Sequence, residues 1–161
     1  MVQLHTVESC KVDFWRITKE AYALDKLGTG ASIYGGRWNR TMTPAIYASS
    51  SISLCAFEVM VHAGDTLPED LVVVKITIPD GAGIVDIRED LTEGWDTLSG
   101  SSISEEIGTR HLQERKHLAF MVPSVIIPEE SNVVINPQHE DISIINLEIL
   151  RKFTFDPRLR D

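Results

Sequence analysis

An α+β domain is what the chain predicts: a compact mixed or antiparallel β core with flanking helices. Short β-branched apolar segments recur throughout but do not alternate regularly with helices, which disfavours a parallel, doubly wound sheet. Two stretches, by contrast, carry helix start signals: serines just before residue 52, and Ser-x-x-Glu at residues 102–105. Hydrophobic residues make up 43% of the 161, enough for one sizeable core, so a single domain over residues 1–161 is expected.

Residues 12–18 alternate as a strand does. Residues 19–39 are polar and hold Gly28, Gly30, Gly35 and Gly36, four of the chain's 10 glycines. A flexible backbone is expected there, turning tightly or approaching another group closely. The strand–Gly-x-Gly-x-x-Gly–helix context of a dinucleotide fingerprint is missing. Residues 44–49 give a short strand, after which Ser50 or Ser51 caps a helix over residues 52–63, closed by Gly64. Residues 71–78 are β-rich and end at the turn Pro79-Asp80-Gly81, and residues 83–87 form another strand. A charged helix is expected over residues 102–117, with a narrow buried stripe of Ile103, Ile107 and Leu112. Strands at residues 118–122, 125–127, 132–135 and 142–149 follow, separated by Pro123, Pro128 and Pro137, and residues 153–159 read as a last strand and turn.

A formal net charge of -9 argues against a broad basic surface for nucleic acid, while leaving room for a local pocket for a small anion. No run is long enough to span a bilayer and the N-terminus lacks the apolar core of a secretory signal, so a cytoplasmic protein is expected. Cys10 and Cys55 have no metal-ligand spacing, no metal is expected, and Cys55 reads as a buried thiol.

Glu58 stands alone as an acid in the apolar run of residues 54–61, with Leu54, Cys55, Val61 and His62 on its helical face. Such a carboxylate lies at a rim or meets a specific partner, because burying it unpaired is costly or forces protonation. Arg37 follows two glycines, and its planar fork of donors suits phosphate or ribose oxygens. A surface arginine stacked on Trp38 accounts for the same pattern. Tyr47 serves equally as an aromatic face for a ligand or as a half-buried strand tyrosine. Ser124 beside Pro123, and Asn136 before Pro137, read on their own as turn formers.

Taken together, Trp15-Arg16-Ile17, Gly36-Arg37-Trp38-Asn39, Ile46-Tyr47-Ala48-Ser49, Glu58-Val59-x-Val61-His62, Val122-Pro123-Ser124, Asn132-x-x-x-Asn136-Pro137-x-His139 and Phe155-Asp156-Pro157-Arg158-Leu159 resemble the RES domain. The resemblance runs from about residue 14 to 160; residues 65–100 match nothing diagnostic. That family is named for an arginine, a glutamate and a serine, here matching Arg37, Glu58 and Ser124. The resemblance implies a fold similar to that of ADP-ribosyltransferases. It also implies a toxin of a bacterial type II toxin–antitoxin pair, encoded beside an Xre-like helix-turn-helix antitoxin that supplies the DNA binding.

NAD+ is the implied substrate, cleaved at the nicotinamide–ribose bond by hydrolysis or phosphorolysis, with no prosthetic group. Arg37, Tyr47 and Glu58 would form the catalytic set, and Arg16, Asn39, His62, Ser124 and Asn136 would hold the ligand. Water, phosphate and a protein side chain all stay open as acceptors, and so does a catalytically silent module that only binds the antitoxin. A homodimer within a toxin–antitoxin complex is the family expectation.

Overall fold

The computed structural model describes residues 11–160; Cys10 lies outside them. Among these described residues seven strands are present: β1 (Lys11–Lys19), β2 (Ile46–Ser49), β3 (Leu71–Pro79), β4 (Ile84–Asp86), β5 (Ala119–Pro123), β6 (Ser131–Ile135) and β7 (Asn146–Phe153). They form one sheet in the order β4-β5-β6-β2-β1-β3-β7. Only the pairing of β4 with β5 is parallel, and the neighbours from β5 to β7 are antiparallel. Among the described residues three α-helices flank it: α1 (Thr29–Tyr34), α2 (Ile52–His62) and α3 (Ser102–Glu114). The α+β class with a mixed sheet is therefore the observed one.

The β1–β2 seam positions the site. β1 pairs with β3 along its whole length, from Lys11 opposite Pro79 to Lys19 opposite Leu71. Against β2 its register holds only at Trp15 opposite Ser49. Helix α2 follows β2 directly and packs over both strands at this seam. Alternation along β2 sends Ile46 and Ala48 into one core, with Phe14, Val74, Ile76, Val133 and Ile135. Tyr47 and Ser49 leave on the opposite face, where Trp38, Phe120, Val122 and Val134 cluster towards α3. Ile17, Cys55, Leu71, Val73 and Phe155 cluster under α2.

Helix α2 starts where a serine cap predicts. Ser51 accepts from the Leu54 N–H at 3.1 Å, and Gly64, at φ +65°, follows its C-cap Ala63. Leu54 and Cys55 are the residues it buries, and Glu58 lies on that same side, at offsets of four and three.

Several sequence expectations are corrected. The stretch 19–39 is not wholly irregular, since it contains α1 and a 3-10 turn at Glu20–Tyr22. Helix α3 is capped by Ser101 rather than Ser102, its hydroxyl accepting from the Ile103 N–H, and it ends at Glu114 with Arg115 left-handed. Its buried face is broader than three apolar residues, because Ser104, Gly108 and Thr109 are buried as well. Residues 125–127 are not a strand. Ile126 and Ile127 give their N–H groups to the Ser124 hydroxyl, and the chain turns there. Residues 142–149 divide into a 3-10 turn, Ile142–Ile144, and the start of β7, while Pro157–Leu159 is a further 3-10 turn.

Candidate active site

Three elements meet at Glu58. Its Oε1 accepts from Ser124 Oγ at 2.9 Å, just past β5, and from Asn132 Nδ2 at 2.7 Å, on β6. Ser124 is fully buried and its hydroxyl already accepts two backbone N–H groups, each at 3.1 Å. A hydroxyl carries one proton, so that proton is aimed at Glu58. Asn132 is oriented in turn by Ser49, whose hydroxyl donates to its Oδ1 at 2.7 Å. Ser49 and Asn132 are register partners across β2 and β6. No hydrogen bond to Glu58 Oε2 occurs among the described residues, so this half-buried carboxylate has one oxygen anchored and one open.

Two residues back along β2, on the same face, Tyr47 anchors a second cluster. Its hydroxyl donates to Asn39 Oδ1 at 2.6 Å and accepts from the Trp38 N–H at 3.1 Å. Burial pushes the phenol further above its ordinary range. Gly36 makes this contact achievable: a Cβ there would stand 2.7 Å from the Tyr47 hydroxyl. With the hydroxyl engaged, the ring is what Tyr47 offers a ligand. A strand rise of about 3.3 Å per residue puts Tyr47 and Ser49 roughly 7 Å apart, so the Tyr47 and Glu58 clusters are neighbours.

Arg37, half-buried, donates to Trp95 O at 3.2 Å and to Thr97 O at 3.0 Å. Trp95 stacks on Trp38, ring centroids 5.7 Å apart. The segment without family motifs thus braces the Arg37 turn. Two of the guanidinium's five N–H groups are engaged, and the rest are not hydrogen-bonded within the described residues.

Other expected ligand groups are placed differently. Asn39 is fully buried and its Nδ2 donates to Ala31 O, Arg40 O and Thr43 O, making it the tie that holds Tyr47. Asn136, 2% exposed, donates to Leu112 O and accepts from the Gln138 N–H. It follows the far end of β6 from Asn132, and the structure does not bring it to Glu58. His62 is exposed, and its Nδ1 pairs with the Glu58 carbonyl one turn back. Arg16 lies opposite Val74, so alternation sends it to the face away from Trp15 and Ser49. Desolvation lowers its pKa, opposed by Asp25 and Cys55, and it makes no hydrogen bond or salt bridge among the described residues.

Asn132 and Ser49 belong to the candidate site, although the sequence alone did not single them out. Asn132 stood within a family motif, but only the β2–β6 register ties it to Ser49 and Glu58. A concavity of about 470 Å³ lies against the Arg37 turn, lined by Tyr34, Gly36, Arg40 and Glu105 among others. Glu58 does not line it, so the hydrogen-bond network around Glu58, rather than this hollow, marks the candidate site. No group of three or more His, Cys, Asp or Glu residues among the described residues is arranged to hold a metal ion.

Fold and site together define an α+β protein with one cradled carboxylate beside an aromatic face. The RES domain family model matches residues 13–156, and the chain belongs to that family. It is 39% identical over 153 residues to the Prs ADP-ribosylating toxin of Sphingobium sp. (strain YBL2), covering 91% of this chain and 95% of that one. It is 37% identical over 149 residues to Toxin Res of Photorhabdus laumondii subsp. laumondii, covering 90% and 95%. Its fold resembles the crystal structure of the M. tuberculosis MbcT–MbcA toxin–antitoxin complex, with a TM-score of 0.65 at 21% identity over 94% of this chain and 87% of the other.

Proposed function

We propose that the protein is the toxin of a type II toxin–antitoxin pair and that it breaks the nicotinamide–ribose bond of NAD+. The observation that carries this reading is the Glu58 carboxylate, with Oε1 fixed by Ser124 and Asn132 and Oε2 open. Nicotinamide leaves NAD+ with the bonding electron pair and becomes neutral, so the reaction asks little of an acid. Positive charge grows on the ribose, and a pre-oriented carboxylate stabilises it. Water or phosphate then bonds to the anomeric carbon, giving ADP-ribose or its 1-phosphate after loss of a proton.

In this reading the Tyr47 ring packs on the nicotinamide and the remaining donors of Arg37 hold the pyrophosphate or ribose oxygens. Asn39 and Ser124 act behind them, fixing Tyr47 and Glu58. Arg16, His62 and Asn136 have a lesser claim, on the geometry given above. The net charge of -9 fits a division of labour in which an Xre-like antitoxin contributes the DNA contacts and the toxin assembles with it as a dimer.

A protein acceptor is the second reading, favoured by the name of the 39%-identical relative, an ADP-ribosylating toxin. The same site would then pass ADP-ribose to a side chain. Incubation with NAD+ labelled in the adenosine part, with and without phosphate, tests both. Free ADP-ribose or its 1-phosphate identifies bond cleavage to a small acceptor, and label retained on a protein identifies transfer. Intact NAD+ in every arm refutes the proposal.

A further inference from the structure

We propose that Asn132, backed by Ser49, is a positioning residue that decides which oxygen of Glu58 faces the ligand. The proposal rests on the reading that Glu58 is the charge-stabilising group. A free glutamate samples rotations about its terminal torsion that exchange its two oxygens. Here two donors, one just past β5 and one on β6, converge on Oε1: Ser124 at 2.9 Å and Asn132 at 2.7 Å. Two donors from separate directions leave one orientation, with Oε2 turned outward.

The Asn132 amide is itself fixed. If it were flipped, its carbonyl oxygen would face the Glu58 carboxylate and its NH2 would face Ser49. A carboxylate only accepts, so it draws the NH2 towards itself, and the Ser49 hydroxyl, on a residue only 4% exposed, donates to the Oδ1 that then faces it. Ser49 and Asn132 are paired by the β2–β6 ladder, which also pairs Tyr47 with Val134. The Asn132 amide that bonds the carboxylate is therefore backed by the strand that carries the ring. Any drift of β2 relative to β6 would disturb Tyr47 and Glu58 together. Preorganisation of this kind acts on the transition state more than on ground-state binding.

The test combines kinetics with a readout that needs no turnover. Asn132→Ala and the near-isosteric Asn132→Asp are expected to lower kcat for NAD+ consumption by about 10- to 100-fold, the worth of a hydrogen bond to a charged group. KM should stay within about twofold if Asn132 orients Glu58 rather than binding ligand. Ser49→Ala should give a smaller loss in kcat. In the NMR spectrum of the wild-type protein, the Asn132 side-chain amide should exchange slowly with solvent, and its resonances should move in Glu58→Gln and in Ser49→Ala. An unchanged kcat in a folded Asn132→Ala, or a loss confined to KM, overturns the proposal. So does an Asn132 amide that exchanges like an exposed one and ignores Glu58→Gln. If the wild-type protein leaves NAD+ intact, the functional reading fails by itself, and the amide resonances alone decide whether the relay exists.

Discussion

Ser124 and Glu58 are 66 positions apart in the chain, yet the hydroxyl of one donates to Oε1 of the other at 2.9 Å. The serine cannot turn away, because it also accepts the N–H groups of Ile126 and Ile127. The turn after β5 thus exists in the form that aims one proton at α2. It also sets the serine of the family name beside the glutamate.

Glu58→Gln keeps an oxygen that can accept from Ser124 and Asn132, so the fold should hold while the charge is lost. NAD+ consumption is expected to fall by at least about 100-fold, the scale of removing one electrostatic stabiliser from a site of this kind. The melting temperature should move by no more than a few degrees. A folded Glu58→Gln that consumes NAD+ at the wild-type rate removes Glu58 from the mechanism.

Gly36→Ala tests the contact that seats Tyr47. The new Cβ would stand 2.7 Å from the tyrosine hydroxyl and 2.9 Å from Asn39 Oδ1. Overpacking on this scale costs about 1–3 kcal/mol. Tyr47→Phe removes the obstructing oxygen, so the double variant should be less destabilised than the sum of the two singles. Urea unfolding of all four proteins measures the coupling, and strict additivity would show that the methyl does not meet Tyr47.

The sequence made some of this legible and hid the rest for identifiable reasons. β3 is readable because it is strongly apolar and rich in β-branched residues, and α2 because a serine cap precedes a mostly apolar run. Residues 125–127 mimic a strand by composition, but the Ser124 hydroxyl captures two of their N–H groups and turns the chain. Helix α1 is hidden because six residues that include a glycine carry no periodic signal. At the site, Arg37, Tyr47, Glu58 and Ser124 were visible through motif. Asn132 and Ser49 were not singled out, because only the pairing of β2 with β6, a long-range contact, makes partners of them. Asn136 looked like a ligand group by its motif, whereas its amide is bound to Leu112 and Gln138.

Two helical glycines should respond to alanine in opposite senses. A Cβ at Gly30 in α1 meets nothing within 4 Å, so Gly30→Ala should stabilise by about 0.5–1 kcal/mol through reduced backbone entropy in the unfolded chain. At Gly108 in α3 the added Cβ would stand 2.1 Å from Trp38 O. The helix must then lift off the Trp38 turn, with a loss of at least about 2 kcal/mol that outweighs the same propensity gain. Thermal melts of the two variants compare them directly. A Gly108→Ala protein as stable as the wild type would mean that α3 does not lie against residues 36–39.

Cys55 should make the fold sensitive to alkali. Burial is the main reason its thiol is raised from 9.0 to about 11, and the nearby Glu58 charge adds to the shift. The sulfur also donates to Trp15 O at the β1–β2 seam. Below pH 9 the thiol is protonated in folded and unfolded chains alike, and its contribution to stability is fully present. As pH rises from about 9 to about 11 the unfolded thiol ionises first, so the unfolded chain holds fewer protons and stability falls. The expected loss is on the order of 1–3 kcal/mol across that window. Cys55→Ala should be less stable at pH 7, because it leaves a small void, but its stability should decline less between pH 9 and 11. Denaturant midpoints for both proteins at pH 7, 9 and 11 measure the difference. Equal alkaline slopes would show that the thiol titrates normally and that the seam beneath α2 is open to solvent.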